Sequence, residues 1–325
     1  MEGNVKLKAL CMLTALTALA AFAVPMQGQA QAKKVFALVP KAMNNPFFDQ
    51  ARDGCMKAAA EIGNIECYYI GPADATEQEQ VELIQDLITK RVDGLAVSDS
   101  NAPAIGKILK LAKAAHIPTV TWDSDILPED KDLRSTYIGT VNEQIGVEVA
   151  KRTMALKPNG GTYCIQSGGP AAQNMNERMK GMTETLPADK WVQVAGCPLY
   201  NNDDFPLSIV QLTDILAKYP KIDALLNAGG APEMVGSAYR QLTDKYMDRI
   251  KSKDLVLVFV ETLPMQMDLL REGLSDGQIG QRPYQMGYRA VQILNDLTLG
   301  KTVPETVTIG LDVCTTETID TCKAK

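Results

Sequence analysis

Polar and aromatic side chains follow several apolar runs of the chain, at the points where strands would end. Residues 45–48, Asn-Pro-Phe-Phe, come after the first run, residues 123–125, Asp-Ser-Asp, after the fourth, and Glu261 after a late one. A carboxylate at such a position can accept two hydroxyl hydrogen bonds, and charge-assisted bonds are the strong ones. An aromatic face suits the apolar face of a ring sugar. These residue types predict a site that holds a neutral, hydroxylated molecule.

Each of these positions also has a structural interpretation. One of the adjacent Phe47 and Phe48 can pack in the core while the other faces a ligand, or both can be core. Asp123 could instead cap a turn or belong to a metal-binding Asp-x-Asp. Arg178, near the start of a predicted helix, could reach a ligand with its planar fork or form a surface ion pair. Gln281 follows a short run at 278–280 and offers both donor and acceptor.

Missing motifs and overall charge exclude several classes of protein. The sequence has no G-x-G-x-x-G after a strand, no P-loop and no G-x-S-x-G. Its single histidine, His116, falls at a predicted helix end, where we expect it to help cap the helix. Without a C-x-x-C motif or a second histidine we expect neither a metal nor a cofactor. A net charge of −6 argues against a nucleic-acid partner.

The elements that must position these residues alternate between strand and helix. The apolar runs are continuous, as in strands buried on both faces, and this pattern predicts parallel sheets wrapped by helices. Thr76 and Glu79 predict a capping box before a helix with Val81, Ile84 and Leu87 on one face. Ligands of such sheets bind beyond the carboxyl ends of the strands. The predicted strands are 35–39, 67–70, 94–97, 119–122, 162–166, 191–195, 224–227 and 255–260.

The first 32 residues predict a secretory signal peptide. Two lysines, Lys6 and Lys8, precede an apolar stretch at 9–24, and Ala-Gln-Ala at 30–32 predicts cleavage after Ala32. A membrane anchor is the alternative, although the stretch is shorter than the ~20 residues of a spanning helix. We therefore expect a periplasmic protein.

Six cysteines remain after the predicted cleavage, and an even number in an oxidising compartment suggests disulfides. Sequence does not determine which of the possible pairings forms, and buried thiols that never bond are the alternative. The six fall into local couples, so the hypothesis is Cys55–Cys67, Cys164–Cys197 and Cys314–Cys322.

Taken together, the motifs resemble the ribose-binding-protein-like group of periplasmic sugar-binding proteins, over nearly all of residues 34–312. Any one motif is weak, but their order and spacing are quite specific. The resemblance implies a type I periplasmic binding fold: two lobes, each a doubly wound parallel sheet, joined by three hinge crossovers. The motifs are residues 45–48, 121–125, 137–140, 176–178 with Gly181, and 281–284 with Gly287 and Tyr288.

The resemblance also implies ligand-binding residues and lobe boundaries. The hinges are expected near 141–142, 281–282 and 309–312, with a first lobe of 33–141 plus 282–309 and a second of 142–281 plus 310–325. Two hydroxyl-binding features of ribose binders are absent, because Ser124 replaces an arginine and residues 228–231 replace an Asn-Asp pair. The implied ligand contacts are Asn45, Phe47, Phe48, Ser98, Asp123, Arg178, Glu261 and Gln281.

The implied function is that of the substrate-binding component of an ABC importer, a monomer that delivers a monosaccharide or related polyol to a membrane permease. Two alternatives stay open. The protein could be a sensing module that docks on a chemoreceptor or sensor kinase. Alternatively, Asp123 and Glu261 could act as the acid–base pair of a glycosidase. We expect no enzymatic activity.

Overall fold

The computed structural model describes residues 32–322, in which strands and helices alternate as predicted. The strands are β1 Lys34–Val39, β2 Ile65–Tyr69, β3 Gly94–Val97, β4 Thr119–Trp122, β5 Thr136–Gly139, β6 Gly161–Ser167, β7 Trp191–Gln193, β8 Leu199–Tyr200, β9 Ala224–Asn227, β10 Val256–Val260, β11 Gly277–Gly280, β12 Thr306–Thr308 and β13 Asp312–Cys314. The helices are α1 Pro46–Ile62, α2 Glu77–Thr89, α3 Ala102–Ala114, α4 Asn142–Leu156, α5 Gln173–Thr185, α6 Phe205–Lys218, α7 Gly236–Asp244, α8 Met247–Lys251, α9 Pro264–Arg271 and α10 Pro283–Thr298.

The first sheet is parallel, in the order β2-β1-β3-β4-β5-β12. All four residues of β3 and of β4 are buried, as expected for strands covered on both faces. The β3 sequence is continuously apolar, whereas in β4 the buried Thr119 and Thr121 alternate with Val120 and Trp122. The order reverses direction between β1 and β3, and a crevice for ligands forms at such a switch point. This sheet and its helices are called the first lobe.

The second sheet repeats the same order as β7-β6-β9-β10-β11, with β8 beside β6. It ends in β13, which pairs antiparallel with β11. The prediction of two doubly wound parallel sheets is confirmed, and this antiparallel edge strand is an addition to it. The second sheet and its helices are called the second lobe.

The chain passes between the two sheets three times within the described residues. It leaves the first sheet after β5, returns after β11 through α10, and leaves again between β12 and β13. Helix α10 packs on α1 and on the strands of the first sheet, while α4 contacts β10 and β11 of the second. These crossings fall where hinge crossovers were predicted.

Helix starts follow the local sequence in most cases. Asn45 caps α1 by accepting a hydrogen bond from Phe47 N, and Pro46 is the first helical residue. The capping box predicted at Thr76 is wrong: Thr76 is the N-cap residue of α2, but its side chain makes no capping bond. His116 is exposed and follows the end of α3, where its backbone is left-handed. Its backbone N–H donates a hydrogen bond to Lys113 O.

The structure confirms all three predicted disulfides: Cys55–Cys67, Cys164–Cys197 and Cys314–Cys322. Each joins residues of one lobe, so none ties the first sheet to the second. Within residues 32–322, every helix is too short or too polar to cross a bilayer. The predicted signal peptide lies outside the described residues, apart from Ala32.

Candidate functional site

A cavity of about 650 Å³, part of it open to solvent, lies between the carboxyl ends of the two sheets. Segments from both lobes line it: those after β1, β2 and β4 in the first, and those after β6, β8, β9 and β10 in the second. The lining residues are Lys41, Ala42, Asn44, Asn45, Phe47, Phe48, Ala75, Asp123, Gly168, Asn174, Met175, Arg178, Asn201, Asp203, Phe205, Asn227, Gly229, Gly230, Ala231, Met234 and Glu261.

The two adjacent phenylalanines of α1 belong both to the core and to the cavity wall. Phe47 and Phe48 are each 4% exposed and pack edge-to-face, with ring centroids 5.2 Å apart. Phe48 also packs edge-to-face on Trp122, at 5.7 Å. The sequence left open whether one ring or both would be core, and in the structure both rings belong to the buried core and both also line the cavity.

Asp123 presents a buried carboxylate directly after β4. Its backbone is left-handed, with φ of 60°, a region that few non-glycine residues adopt. Ser98 Oγ donates to its Oδ2 at 2.9 Å, and Arg178 Nη2 lies 3.6 Å from its Oδ1. The next acid, Asp125, is held by Arg134 at 2.6 Å, away from the cavity wall. The two carboxylates of this Asp-x-Asp therefore have different partners.

Arg178 is buried on α5 and connects acids of the two lobes. Its Nε donates to Asn142 Oδ1 at 3.0 Å and its Nη1 to Ala228 O at 2.9 Å. The Nη1 atom is also 3.6 Å from Glu261 Oε1. The Nη2 atom has no hydrogen-bond partner in the part of the chain that the structure describes. The structure therefore contradicts the surface ion pair suggested as an alternative, since the side chain is 1% exposed.

Glu261 supplies the matching carboxylate at the end of β10. Like Asp123 it has a left-handed backbone, with φ of 87°. Gln281 Nε2 donates to its Oε1 at 2.7 Å. Burial raises the pKa of the Glu261 carboxyl to about 7, although the positive charge of Arg178 and the Gln281 hydrogen bond both oppose the rise.

Two of the predicted ligand contacts do not line the cavity. Ser98 and Gln281 are buried behind it, and each donates a hydrogen bond to a lining carboxylate, Asp123 or Glu261. The other predicted residues come together around one space. They are Asn45, Phe47, Phe48, Asp123, Arg178 and Glu261.

Several polar residues of the cavity were missed at the sequence level. Lys41 is 3% exposed, and its Nζ donates to Asn174 Oδ1 in the opposite lobe at 2.7 Å. Asn201 and Asp203 follow β8, a strand of two residues that the apolar pattern does not indicate. Asn227 is the last residue of β9. Searching for polar residues at strand ends, which indicates Asp123, also indicates Asn227. The same search extended to two residues beyond β1 indicates Lys41.

The polar groups of the cavity suit hydroxyl groups. Carboxylates of both lobes accept hydrogen bonds, and the guanidinium and amide groups donate them. The lobes already contact each other beside the cavity, through Lys41 and Asn174 and through the Ala102 N to Ala171 O bond of 3.1 Å. Among the described residues, no three His, Cys, Asp or Glu side chains gather as metal ligands would.

Two hinged α/β lobes around a polar cavity define a two-lobed ligand-binding protein. Comparison with known protein families matches residues 36–302 to the periplasmic binding protein domain. The chain belongs to that family. The resemblance to periplasmic sugar-binding proteins is confirmed.

Individual relatives match along most of their length. The ribose import binding protein RbsB of Salmonella typhimurium is 26% identical over 294 residues, which cover 90% of this chain and 94% of the relative. The D-allose-binding periplasmic protein of Escherichia coli is 21% identical, covering 83% and 86%. A solute-binding protein of Burkholderia graminis, solved in complex with D-arabinose, is 27% identical with a TM-score of 0.81, covering 90% of this chain and 99% of that one.

Proposed function

We propose that the protein is the substrate-binding component of an ABC importer and captures a monosaccharide or related polyol between its lobes. The observation that carries the proposal is the cavity at the strand ends, where Arg178 of the second lobe lies between Asp123 of the first and Glu261 of the second. A neutral ligand rich in hydroxyls can accept hydrogen bonds from the guanidinium and donate to the two carboxylates.

Ligand contacts in this proposal come from both lobes. Phe47 and Phe48 cover the apolar face of a sugar ring, while Asp123, Arg178 and Glu261 bind its hydroxyls and Asn45 borders the opening. Ser98 and Gln281 act indirectly, by holding Asp123 and Glu261 in place. A micromolar Kd needs about 8 kcal/mol, which a few charge-assisted hydrogen bonds and aromatic burial supply.

Binding favours the closed arrangement, because only the closed state brings both sets of contacts to the ligand. We place the lobe boundaries at 33–141 plus 282–309 and at 142–281 plus 310–325, which agrees with the sheet to which each strand belongs. The closed form would be the one recognised by the partner permease.

Relatives named as import binding proteins support transport over a purely sensory role. We propose no enzymatic reaction, since the fixed charges of the cavity are paired through Arg178 rather than arranged around a reacting bond. We also propose that residues 1–32 direct export to the periplasm and are removed. N-terminal sequencing of the exported protein tests this step and should begin at Lys33.

A thermal-shift screen tests the binding proposal. The full chain is expressed with export, purified, and heated with D-ribose, D-arabinose, D-xylose, D-allose, D-fucose, D-tagatose and myo-inositol. A ligand at 100 times its Kd adds about 2.7 kcal/mol to the unfolding free energy. We expect at least one sugar or polyol to raise Tm and sodium chloride at equal concentration to leave it unchanged. A panel without any shift would contradict the proposal.

A further inference from the structure

The loop between β8 and α6, residues 201–203, presents two polar side chains to the cavity from the second lobe. Two hydrogen bonds fix its shape. Asn201 N donates to Ser167 O at 2.9 Å, and Asp203 N donates to Asn201 Oδ1 at 2.8 Å. These bonds hold the Asn201 side chain and the Asp203 backbone in place without a ligand.

Asn201 offers an unused hydrogen-bond donor. The side chain lines the cavity while its residue is only 1% exposed, and Nδ2 has no hydrogen-bond partner among residues 32–322. A buried donor without a partner has lost its hydrogen bonds to water without replacement, which is unfavourable. A ligand oxygen at this position would remove that cost.

Asp203, two residues further along the same loop, offers an acceptor to the same cavity. Its backbone is left-handed, with φ of 59°, and its carboxylate lies against Gly168. A Cβ at Gly168 would be 2.8 Å from Asp203 Oδ1, so glycine leaves the space that the carboxylate occupies. Burial raises the pKa of Asp203, and the positive charge of Lys41 opposes the rise.

The charges around the loop disfavour an anionic ligand group. Lys41 lies across the cavity and compensates the Asp203 charge, while Arg178 is placed between Asp123 and Glu261. Two cations therefore face three acids, and a carboxylate group on the ligand would add to this excess of negative charge. A hydroxyl can accept from the Asn201 amide and donate to the Asp203 carboxylate at once.

We infer that Asn201 and Asp203 form a specificity-determining subsite that binds one hydroxyl group of the sugar. This inference rests on the proposed function and adds the part of the site that selects among sugars. It also explains how the second lobe can bind a hydroxyl without the Asn-Asp pair that ribose binders carry. Residues 228–231, Ala-Gly-Gly-Ala, carry no polar side chain, whereas the neighbouring loop supplies an amide and a carboxylate.

The test combines one substitution with sugars that each lack one hydroxyl. The panel sugar that binds wild type is compared with its monodeoxy derivatives by titration calorimetry, on wild type and on Asp203→Asn. Asparagine tolerates the left-handed backbone at this position, so the variant should fold. The control is Asn202→Gly, at the exposed neighbour that shares this backbone conformation.

We expect Asp203→Asn to weaken binding of the parent sugar about 10-fold or more, and Asn202→Gly to stay within about twofold. For one monodeoxy derivative, the one lacking the bound hydroxyl, Asp203→Asn should cause no further loss. Equal losses for the parent and every derivative, or no loss for the parent, would overturn the subsite while leaving the sugar-binding proposal intact. An amino-sugar derivative that binds more tightly than the parent would overturn the neutral hydroxyl assignment. Failure of wild type to bind any panel sugar would instead overturn the proposed function.

Discussion

Asp123 and Glu261 share an unusual backbone as well as a place in the cavity. Both are non-glycine residues with positive φ directly after a strand. Such conformations cost on the order of 1 kcal/mol or more and cluster at functional sites. Each carboxylate is also held by a buried neutral donor, Ser98 or Gln281. We interpret both residues as fixed in position for ligand binding at the expense of stability.

The raised pKa of Glu261 leads to a prediction of how the unfolding free energy of the ligand-free protein depends on pH. Its pKa is raised from 4.5 to about 7, so between these values the folded protein keeps a proton that the unfolded chain has released. The unfolding free energy contributed by this group therefore falls as pH rises through that window. Glu261→Gln removes the titration, so its urea-unfolding free energy should depend less on pH, by roughly 1–3 kcal/mol between pH 4.5 and 7.5.

The comparison of wild type with Glu261→Gln isolates this carboxyl. Burial also raises the pKa of Asp99 and of Glu233 to about 8, but both residues are present in the two proteins. A difference in unfolding free energy that stays constant with pH would contradict the assignment.

The sequence predicts the site residues that directly follow a recognisable strand. It does not predict those that follow a very short strand or depend on contacts between the lobes. The sequence indicates Asp123 and Glu261 because each directly follows a recognisable buried strand, β4 or β10. Asn201 and Asp203 were not, because β8 is only two residues long and makes no apolar pattern. Contacts across the lobes, such as Lys41 with Asn174, depend on the tertiary arrangement and have no local signal.

Two helix pairs pack through glycines in the same way, one pair in each lobe. In the first lobe, a Cβ at Gly54 would lie 2.0 Å from Tyr284 O, and one at Gly287 would lie 1.9 Å from Ala51 O. In the second, a Cβ at Gly146 would lie 1.9 Å from Arg178 O. These distances are too short for any side chain, so α1 with α10 and α4 with α5 approach closely only because of glycine.

We expect Gly146→Ala to lower the unfolding free energy by roughly 1–3 kcal/mol, because the new methyl group meets backbone that has to shift. Where the new methyl group has free space, replacing glycine by alanine inside a helix stabilises a protein by about 1 kcal/mol. The sign of the change in unfolding free energy therefore distinguishes close packing from free space. Urea unfolding measures it, with exposed Lys151→Ala on the same helix as the control. An increase in stability would show that α4 and α5 are not in close contact.

Strand and helix positions were predictable where the sequence carries a strong pattern. The predicted runs 94–97, 119–122 and 224–227 coincide with β3, β4 and β9. The antiparallel β13 was not predicted, since its three residues show neither a long apolar run nor a turn signal. The missing capping bond at Thr76 shows that a motif can give the position of a helix start without its hydrogen bonds.

At the scale of the whole molecule, the disulfides stabilise the lobes separately. The bond between Cys164 and Cys197 closes a loop of 33 residues within the second lobe. Disulfides stabilise chiefly by constraining the unfolded chain. A bond confined to one lobe leaves the hinges free, so stability and ligand affinity should respond differently to its loss.

The double substitution Cys164→Ser with Cys197→Ser tests this separation. We expect the unfolding free energy to fall by roughly 2–4 kcal/mol, and the Kd for the sugar that binds wild type to change less than threefold. Chemical unfolding and titration calorimetry measure the two effects. An affinity loss of tenfold or more would mean that this bond also shapes the cavity.

The most direct test of the central claim is titration calorimetry with the sugar and polyol panel, on wild type and on the Asp123→Ala, Arg178→Ala double variant. The two residues belong to opposite lobes and both line the cavity. We predict one molecule of sugar per chain with a Kd of roughly micromolar or tighter for wild type, and at least a 100-fold loss for the double variant. Binding that survives in the double variant with unchanged affinity would contradict capture of the sugar between the lobes.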